Sequence, residues 1–342
     1  MDNEEPIWKR FEDLVRRILE ENQFQIEKYS PRGDEGFDFF GRFVNENWAI
    51  EVKYYRTARP RLSLIEAAAA RVVFNGVSRQ VEKGMLVTSS LLTPEARSSL
   101  EVKYKILFVD RADLRLLASS RSDLLDELEA LLELDPELSE DQKPVRLNLE
   151  DSRNNIGDSS IPVIDTKGTE LCEKLRSIKV GKGGWAQYEI ICVEILQYLF
   201  PNDLRGWHKQ KSTDGGVNRY DFVCRVSSAT EFWRFLVENL NSRYVIFEFK
   251  NYSEKIKQGQ VLTTEKYLLE RGLRKVAIIL SRLGPDKNAI GMMQGAMREH
   301  GKLILSVDDE LVCKMLQMKE RGEDPTDLLF ELTDDFLLSL PR

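Results

Sequence analysis

Apolar residues in the first half of the chain recur at helix-like and strand-like spacings in turn. Ile7, Phe11, Leu14, Val15, Ile18 and Leu19 share one face of a helix predicted over residues 6–22. A turn-rich run follows, Ser30-Pro31-Arg32-Gly33-Asp34-Glu35-Gly36, and then two strand-like stretches, residues 37–44 and 48–55. The pattern continues with a helix over 62–79, an apolar strand at 85–88, and a helix opened by Thr93-Pro94-Glu95-Ala96. A short strand at 106–109 and a short helix at 111–117 close the series. Strands alternating with helices predict an α/β layer fold.

An acidic helix is expected over 124–134, then an exposed linker to residue 165 carrying Pro136, Pro144 and Pro162. After it the pattern restarts. Helices are predicted at 185–200, 231–238 and 260–271, with strands at 220–226, 244–250, 276–280 and 303–307 and a further helix from Asp308. The two halves align as a diverged repeat whose period is a whole domain. Trp8-x-x-Phe11-Glu12 matches Trp185-x-x-Tyr188-Glu189, and Phe37-Asp38-Phe39 matches Tyr220-Asp221-Phe222. Ile50-Glu51-Val52-Lys53-Tyr54 matches Phe247-Glu248-Phe249-Lys250-Asn251, and later apolar strands match in the same order. The expected organisation is one domain at 1–120, an acidic helix and linker at 121–165, and a second domain with C-terminal helices at 166–342.

Charge at first argues against a nucleic-acid enzyme, because the net value is −7. Its location reverses that impression. Lys plus Arg equal Asp plus Glu in residues 1–120 and again in 151–342, so 121–150 carries the whole −7. Hydrophobic content of 42% and charged content of 31% fit a globular protein, and the apolar helix near residues 188–200 is broken by Glu189, Glu194 and Gln197. The acidic N-terminus gives no sign of a secretory signal. Cys172, Cys192, Cys224 and Cys313 form no C-x-x-C pair and read as free thiols of a cytoplasmic protein. With His208 and His300 the only histidines, zinc and Ser-His-Asp chemistry have little to work with.

The chemistry gathers at Glu51-x-Lys53 and Glu248-x-Lys250. Residues two apart on a strand point to one face, so each glutamate lies beside its lysine. Within a sheet covered on both sides, two ionised groups cost several kcal/mol each unless they pair or bind a metal. A lone E-x-K is commonly an exposed ion pair on an edge strand. Here an upstream aspartate accompanies each one, Asp38 and Asp221. An Asp and a Glu on adjacent strands form a hard-oxygen site suited to Mg²⁺, with Mn²⁺ as an alternative. The lysine would then hold the attacking water and offset phosphate charge.

The order Asp, then Glu-x-Lys, within an αβββαβ core resembles the PD-(D/E)xK restriction-endonuclease-like superfamily. The first half is similar to its Mrr-type catalytic domain, on Phe11-Glu12-Asp13-Leu14-Val15, Gly33-Asp34-Glu35-Gly36-Phe37-Asp38, Glu51-Val52-Lys53 and Gly84-Met85-Leu86-Val87-Thr88-Ser89. The resemblance implies phosphodiester hydrolysis with Mg²⁺, metal held by Asp38 and Glu51, and Lys53 at the water. It places the family's helix acid at Glu12, whose alternative role is a solvent-facing helix residue. Mrr-type domains often carry Gln where this chain has Glu51. The second half resembles the superfamily more loosely through Asp221, Glu248, Lys250 and Glu189, with an insertion at 227–243 that departs from the Mrr pattern. The implied fold is α/β, two tandem restriction-endonuclease-like domains with mixed central sheets, joined by the acidic linker.

Tyr55, Arg56, Arg59 and Arg61 follow the first E-x-K strand and could grip phosphates and stack on bases, or form an ordinary solvated loop. Lys255, Lys257 and Gln260 occupy the same place in the second half. Gly181-Lys182-Gly183-Gly184 reads as a hinge before a helix, and Trp8 and Trp185 read as core anchors. The leading reading is a DNA nuclease with two sites and no membrane association. RNA stays open as a substrate, and target choice is expected to come from a partner protein or an oligomer, as in restriction or antiphage defence. The alternative is a nucleic-acid-binding or partner-binding protein in which one or both nuclease-like domains are inactive.

Overall fold

The structure, a computed structural model, describes residues 5–28, 37–132, 155–158, 161–209, 222–227 and 230–341. The chain forms two compact units. The first is Met1–Asp165 together with Glu320–Asp324, and the second is Thr166–Lys319 with Pro325–Arg342.

In the first unit, α1 (Ile7–Glu21) follows Pro6 and buries Phe11, Leu14, Val15, Ile18 and Leu19, the face its spacing predicts. Strands β1 (Gln25–Lys28), β2 (Phe39–Phe43), β3 (Glu46–Lys53), β4 (Lys83–Thr88) and β5 (Leu107–Val109) lie side by side in chain order. The pairs β1–β2 and β2–β3 are antiparallel, while β3–β4 and β4–β5 are parallel. Between β2 and β3, Val44 and Asn45 both have positive φ, 46° and 63°. Two such residues are what a two-residue hairpin loop matched to strand twist requires, although a branched Val is a costly choice there. The parallel steps are bridged by α2 (Leu62–Ser78) and α3 (Pro94–Tyr104). Thr93 caps α3 by accepting from the Ala96 amide. Helices α4 (Arg111–Ala118) and α5 (Ser122–Leu132) complete the unit.

Two apolar layers sandwich this sheet. Phe11, Leu14, Ile18, Trp48, Ile50 and Met85 lie in one, and Ala49, Ile65, Ala69, Val72, Leu86 and Phe108 in the other. Helix α5 joins the first layer through Leu124, Leu128 and Leu131. Ile156, expected on an exposed linker, is fully buried: its amide donates to the Glu82 carbonyl and its side chain lies where any Cβ on Gly84 would intrude. Most of that expected linker lies outside the described residues.

The second unit repeats the plan. Its strands β6 (Leu204–Lys209), β7 (Phe222–Val226), β8 (Tyr244–Lys250), β9 (Val276–Ser281) and β10 (Leu303–Asp308) again run side by side in chain order. Again the first two pairings are antiparallel and the last two parallel. Its helices are α6 (Lys167–Ser177), α7 (Trp185–Leu199), α8 (Glu231–Glu238), α9 (Gln258–Glu265), α10 (Lys287–His300), α11 (Asp309–Glu320) and α12 (Pro325–Leu338). The sequence pattern misses α6, α10 and the edge strands β1 and β6. It extends the 260–271 helix too far, because after Glu265 the chain turns and Leu269 bridges back to Arg274.

Cys172 on α6 and Cys313 on α11 form a disulfide, with their Cα atoms 5.2 Å apart. This corrects the reading of four free thiols; the helices bring together two cysteines that lie 141 residues apart. Among the described residues no helix is long and apolar enough to cross a membrane.

Buried Arg282 ties the second unit together. It donates to Asn251 Oδ1 (2.7 Å), to the Leu175 and Ile178 carbonyls (2.9 and 2.8 Å) and to Asp309 Oδ2 (2.8 Å), and it lies over the Tyr188 ring. Arg282→Ala should destabilise the unit by about 3–5 kcal/mol, because it leaves a half-buried carboxylate and several acceptors without their cation. Urea unfolding monitored by tryptophan fluorescence checks this, and a loss below about 1 kcal/mol would contradict it.

Candidate active site

Strand β3 is the centre of the first sheet, hydrogen-bonded on both sides, so its last residues are buried on both faces. Glu51 and Lys53 point the same way, each only 6% exposed, and Lys53 Nζ lies 2.6 Å from Glu51 Oε1. Asp38 continues the β2–β3 ladder, its amide donating to the Ile50 carbonyl at 2.9 Å. Its Oδ2 in turn accepts from the Val52 amide at 2.7 Å. The hairpin thus delivers Asp38 next to Glu51 and Lys53, as the spacing predicts. Ser89, just beyond β4, fixes the end of β3, accepting from the Tyr55 amide (2.7 Å) and donating to the Tyr55 carbonyl (3.0 Å).

The electrostatics are those of carboxylates outnumbering cations. Burial, and then the neighbouring Asp38, push the Glu51 carboxyl up to about 8 against the pull of Lys53. Burial works against the Lys53 ammonium as well, yet Glu51, Glu323 and Asp38 outweigh it and hold Lys53 well above the usual lysine range. A divalent cation fits this donor set, since it would supply the missing positive charge, and Mg²⁺ is commonly held by only one or two carboxylates. Among the described residues no group of three His, Cys, Asp or Glu is placed to hold a metal.

The fourth member, Glu323, is absent from any reading of the sequence. Lys53 Nζ donates to Glu323 Oε1 at 3.2 Å, and Tyr55 Oη donates to the Gly322 carbonyl at 2.6 Å. Tyr55, read as a base-stacking residue, is therefore a core residue, 1% exposed. Of its neighbours, Arg59 is exposed while Arg56 and Arg61 are half-buried. Glu12 lies half-buried on α1 within Coulombic reach of Lys9, and is not among the groups that act most strongly on Glu51 and Lys53.

In the second unit Glu248 and Lys250 end β8, the equivalent central strand, with Nζ 2.6 Å from Glu248 Oε2. Register against the neighbouring parallel strand also matches: Glu51 and Lys53 face Leu86 and Thr88, and Glu248 and Lys250 face Ile279 and Ser281. Asp221 lies outside the described residues. Glu189 is buried on α7 and lines a cleft of about 750 Å³ with Lys250, Lys255, Lys257 and Gln260. Gln260 Oε1 accepts from the Lys257 amide, and Lys257 pairs with Glu254 at 2.8 Å. The glycine-rich segment before α7 is stapled down here, because the Gly181 amide donates to the Asn251 carbonyl and Asn251 Nδ2 donates to the Lys179 and Gly181 carbonyls. A Cβ at Gly184 would lie 1.9 Å from the Lys179 carbonyl oxygen, so only glycine fits. Trp8 and Trp185 are 51% and 57% exposed, not core anchors; each sits in the first turn of its helix, ahead of the buried Phe11 or Tyr188.

Residues 4–118 match a family model described as restriction endonuclease. They form a restriction-endonuclease-like domain. The match covers α1 through α4 and includes Asp38, Glu51 and Lys53. An Escherichia coli (strain K12) protein described as "Putative transposon gamma-delta 80.3 kDa protein" is 25% identical over 186 residues, 52% of this chain and 25% of that protein. The chain thus spans about a quarter of the length of this curated relative. Of solved structures, restriction endonuclease FokI aligns over 83% of this chain and 50% of its own, at 10% identity and a TM-score of 0.33.

The raised Glu51 carboxyl gives the restriction-endonuclease-like domain a pH signature. A carboxyl moved from 4.5 to about 8 holds its proton more tightly when folded. Its stabilisation is full below pH 4.5 and is lost as pH rises through about 8. Thermal unfolding in chelator should show a midpoint that falls between about pH 5 and 8, and falls less in Glu51→Gln. Equal slopes for the two proteins would refute the assignment.

Proposed function

We propose that the chain is a divalent-metal-dependent nuclease acting on DNA, with one catalytic site in each unit. One observation carries this reading: a Glu-x-Lys pair, closed at 2.6 Å and with its glutamate buried, ends the central strand of both sheets. Burying an ion pair is a poor route to stability, since apolar residues of similar size commonly do as well or better. The same costly arrangement at the same register in two units is what shared chemistry calls for.

Asp38 and Glu51 would hold the cation in the first unit, and Asp221 and Glu248 in the second, with Glu12 and Glu189 as the corresponding helix acids. When bound there, such a cation would supply charge neutralisation at the phosphodiester and make a nearby water more acidic. Lys53 and Lys250 orient the attacking water and donate to a non-bridging phosphate oxygen as charge builds there. Arg56, Arg59 and Arg61 in the first unit, and Lys255, Lys257 and Gln260 in the second, grip the backbone on either side of the scissile bond. The restriction-endonuclease likeness of residues 4–118 supports duplex DNA and a cytoplasmic role in restriction or antiphage defence. Target choice falls to a partner protein or an oligomer.

Plasmid incubated with Mg²⁺ should be linearised, and EDTA should abolish the reaction. Glu51→Ala and Glu248→Ala should each slow one strand's cleavage at least about 10²-fold, leaving nicked circles as the main product. If either variant linearises plasmid at the wild-type rate, that unit is a binding module instead of a catalytic one.

A further inference from the structure

The restriction-endonuclease-like site carries one element that no reading of its strands requires. Segment Glu320–Asp324, between α11 and α12 in sequence, is part of the first unit. Its backbone is built into that unit. Gly322 adopts φ +76° against the first turns of α2, where a Cβ would lie 2.2 Å from the Leu64 carbonyl oxygen and 2.6 Å from the Ala68 amide nitrogen. Only glycine satisfies both the left-handed backbone and that close approach. The Gly322 carbonyl accepts from the Tyr55 hydroxyl, which is buried with the rest of its ring. The next residue, Glu323, places its carboxylate on Lys53 Nζ at 3.2 Å, with a third of its own side chain exposed.

Lys53 therefore holds two carboxylates, Glu51 from its own strand and Glu323 from the segment. The first belongs to the strand pair found in both units. The second is the more exposed of the two, 32% against 8%, and a substrate anion can reach a side chain as buried as that of Lys53 only from solvent. A phosphate oxygen and the Glu323 carboxylate cannot both sit on one buried ammonium without like-charge repulsion at a few ångströms in a medium of reduced dielectric.

We propose that Arg321-Gly322-Glu323-Asp324 is a pseudo-substrate strap, in which the Glu323 carboxylate takes the place of the scissile phosphodiester on Lys53 and keeps the first site closed until nucleic acid displaces it. The proposal rests on the nuclease reading of that site and adds its regulation. Seating depends on Gly322 and Tyr55, competition on the charge of Glu323, so the two parts can be removed separately.

Glu323→Gln keeps the shape and removes the charge. Gly322→Ala keeps the charge and obstructs seating. In the full chain with Mg²⁺, each should raise the initial rate of plasmid cleavage by about tenfold, through a larger open fraction. A second readout needs no cleavage: in EDTA, duplex DNA should accelerate trypsin cutting after Arg321 in the wild-type chain, and Gly322→Ala should be cut fast without DNA. Two variants that cleave no faster than wild type, or more slowly, would overturn the proposal and make Glu323 a positioning residue for Lys53. If no form of the chain cleaves any nucleic acid, yet DNA still exposes Arg321, the nuclease reading fails while the competition stands. If DNA leaves Arg321 protected, the strap is not displaced by phosphate and the proposal fails.

Discussion

The structure turns on a carboxylate and an ammonium side by side at the end of a buried central strand. Taking either ion out of water costs several kcal/mol, and a 2.6 Å contact repays that only if every remaining lone pair and proton is met. Much of the surrounding architecture answers this demand. The β2–β3 hairpin delivers Asp38, its own carboxylate satisfied by the Val52 amide. Ser89 closes the last rungs between β3 and β4, so that strand β3 does not fray where the ions sit. In the second unit Asn251 and Arg282 brace the segment after Lys250 against α6 and the loop before α7.

Those parts were legible to different degrees in the sequence. The E-x-K pairs, the α1 face and the order of strands follow from period-2 and period-3.6 patterns, and the same signals repeated in order revealed the duplication. Contacts between residues far apart in sequence left no such trace. Gly322 and Glu323 lie some 270 residues from the strand they touch, and the Cys172–Cys313 pair joins helices 141 residues apart. Tyr55 departs from its local pattern for a related reason. An aromatic in an Arg-rich loop looks like a stacking platform, and nothing local says that a carbonyl waits behind it. Trp8 and Trp185 failed the other way: size suggested burial, while the core face of each helix begins with the residue three positions later.

Edge strands β1 and β6 were missed because an edge carries fewer apolar positions than a centre. Glu27 and Arg205 interrupt the alternation that marks β2, β3 and β8. Charged residues on edges also limit pairing with other chains, so the feature that hides these strands from pattern reading is one that protects the sheet. The chain's acidity sits in residues 121–150, apart from the clusters proposed to grip phosphate.

The two units share topology and register yet differ in how their lysines meet solvent. Lys250 is 17% exposed along its side chain and opens onto a cleft with Lys255, Lys257 and the exposed Trp185. Lys53 is 8% exposed and pairs with the more exposed Glu323 carboxylate at 3.2 Å. A shared fold fixes where an acid and a base can be placed, because strand order and register decide which side chains are neighbours. Access is decided by segments outside that shared core, which were free to diverge. The duplicated strands therefore account for the Glu-x-Lys pair common to both units, and the segments around Glu323 and Gly181 account for the different surroundings of the two lysines.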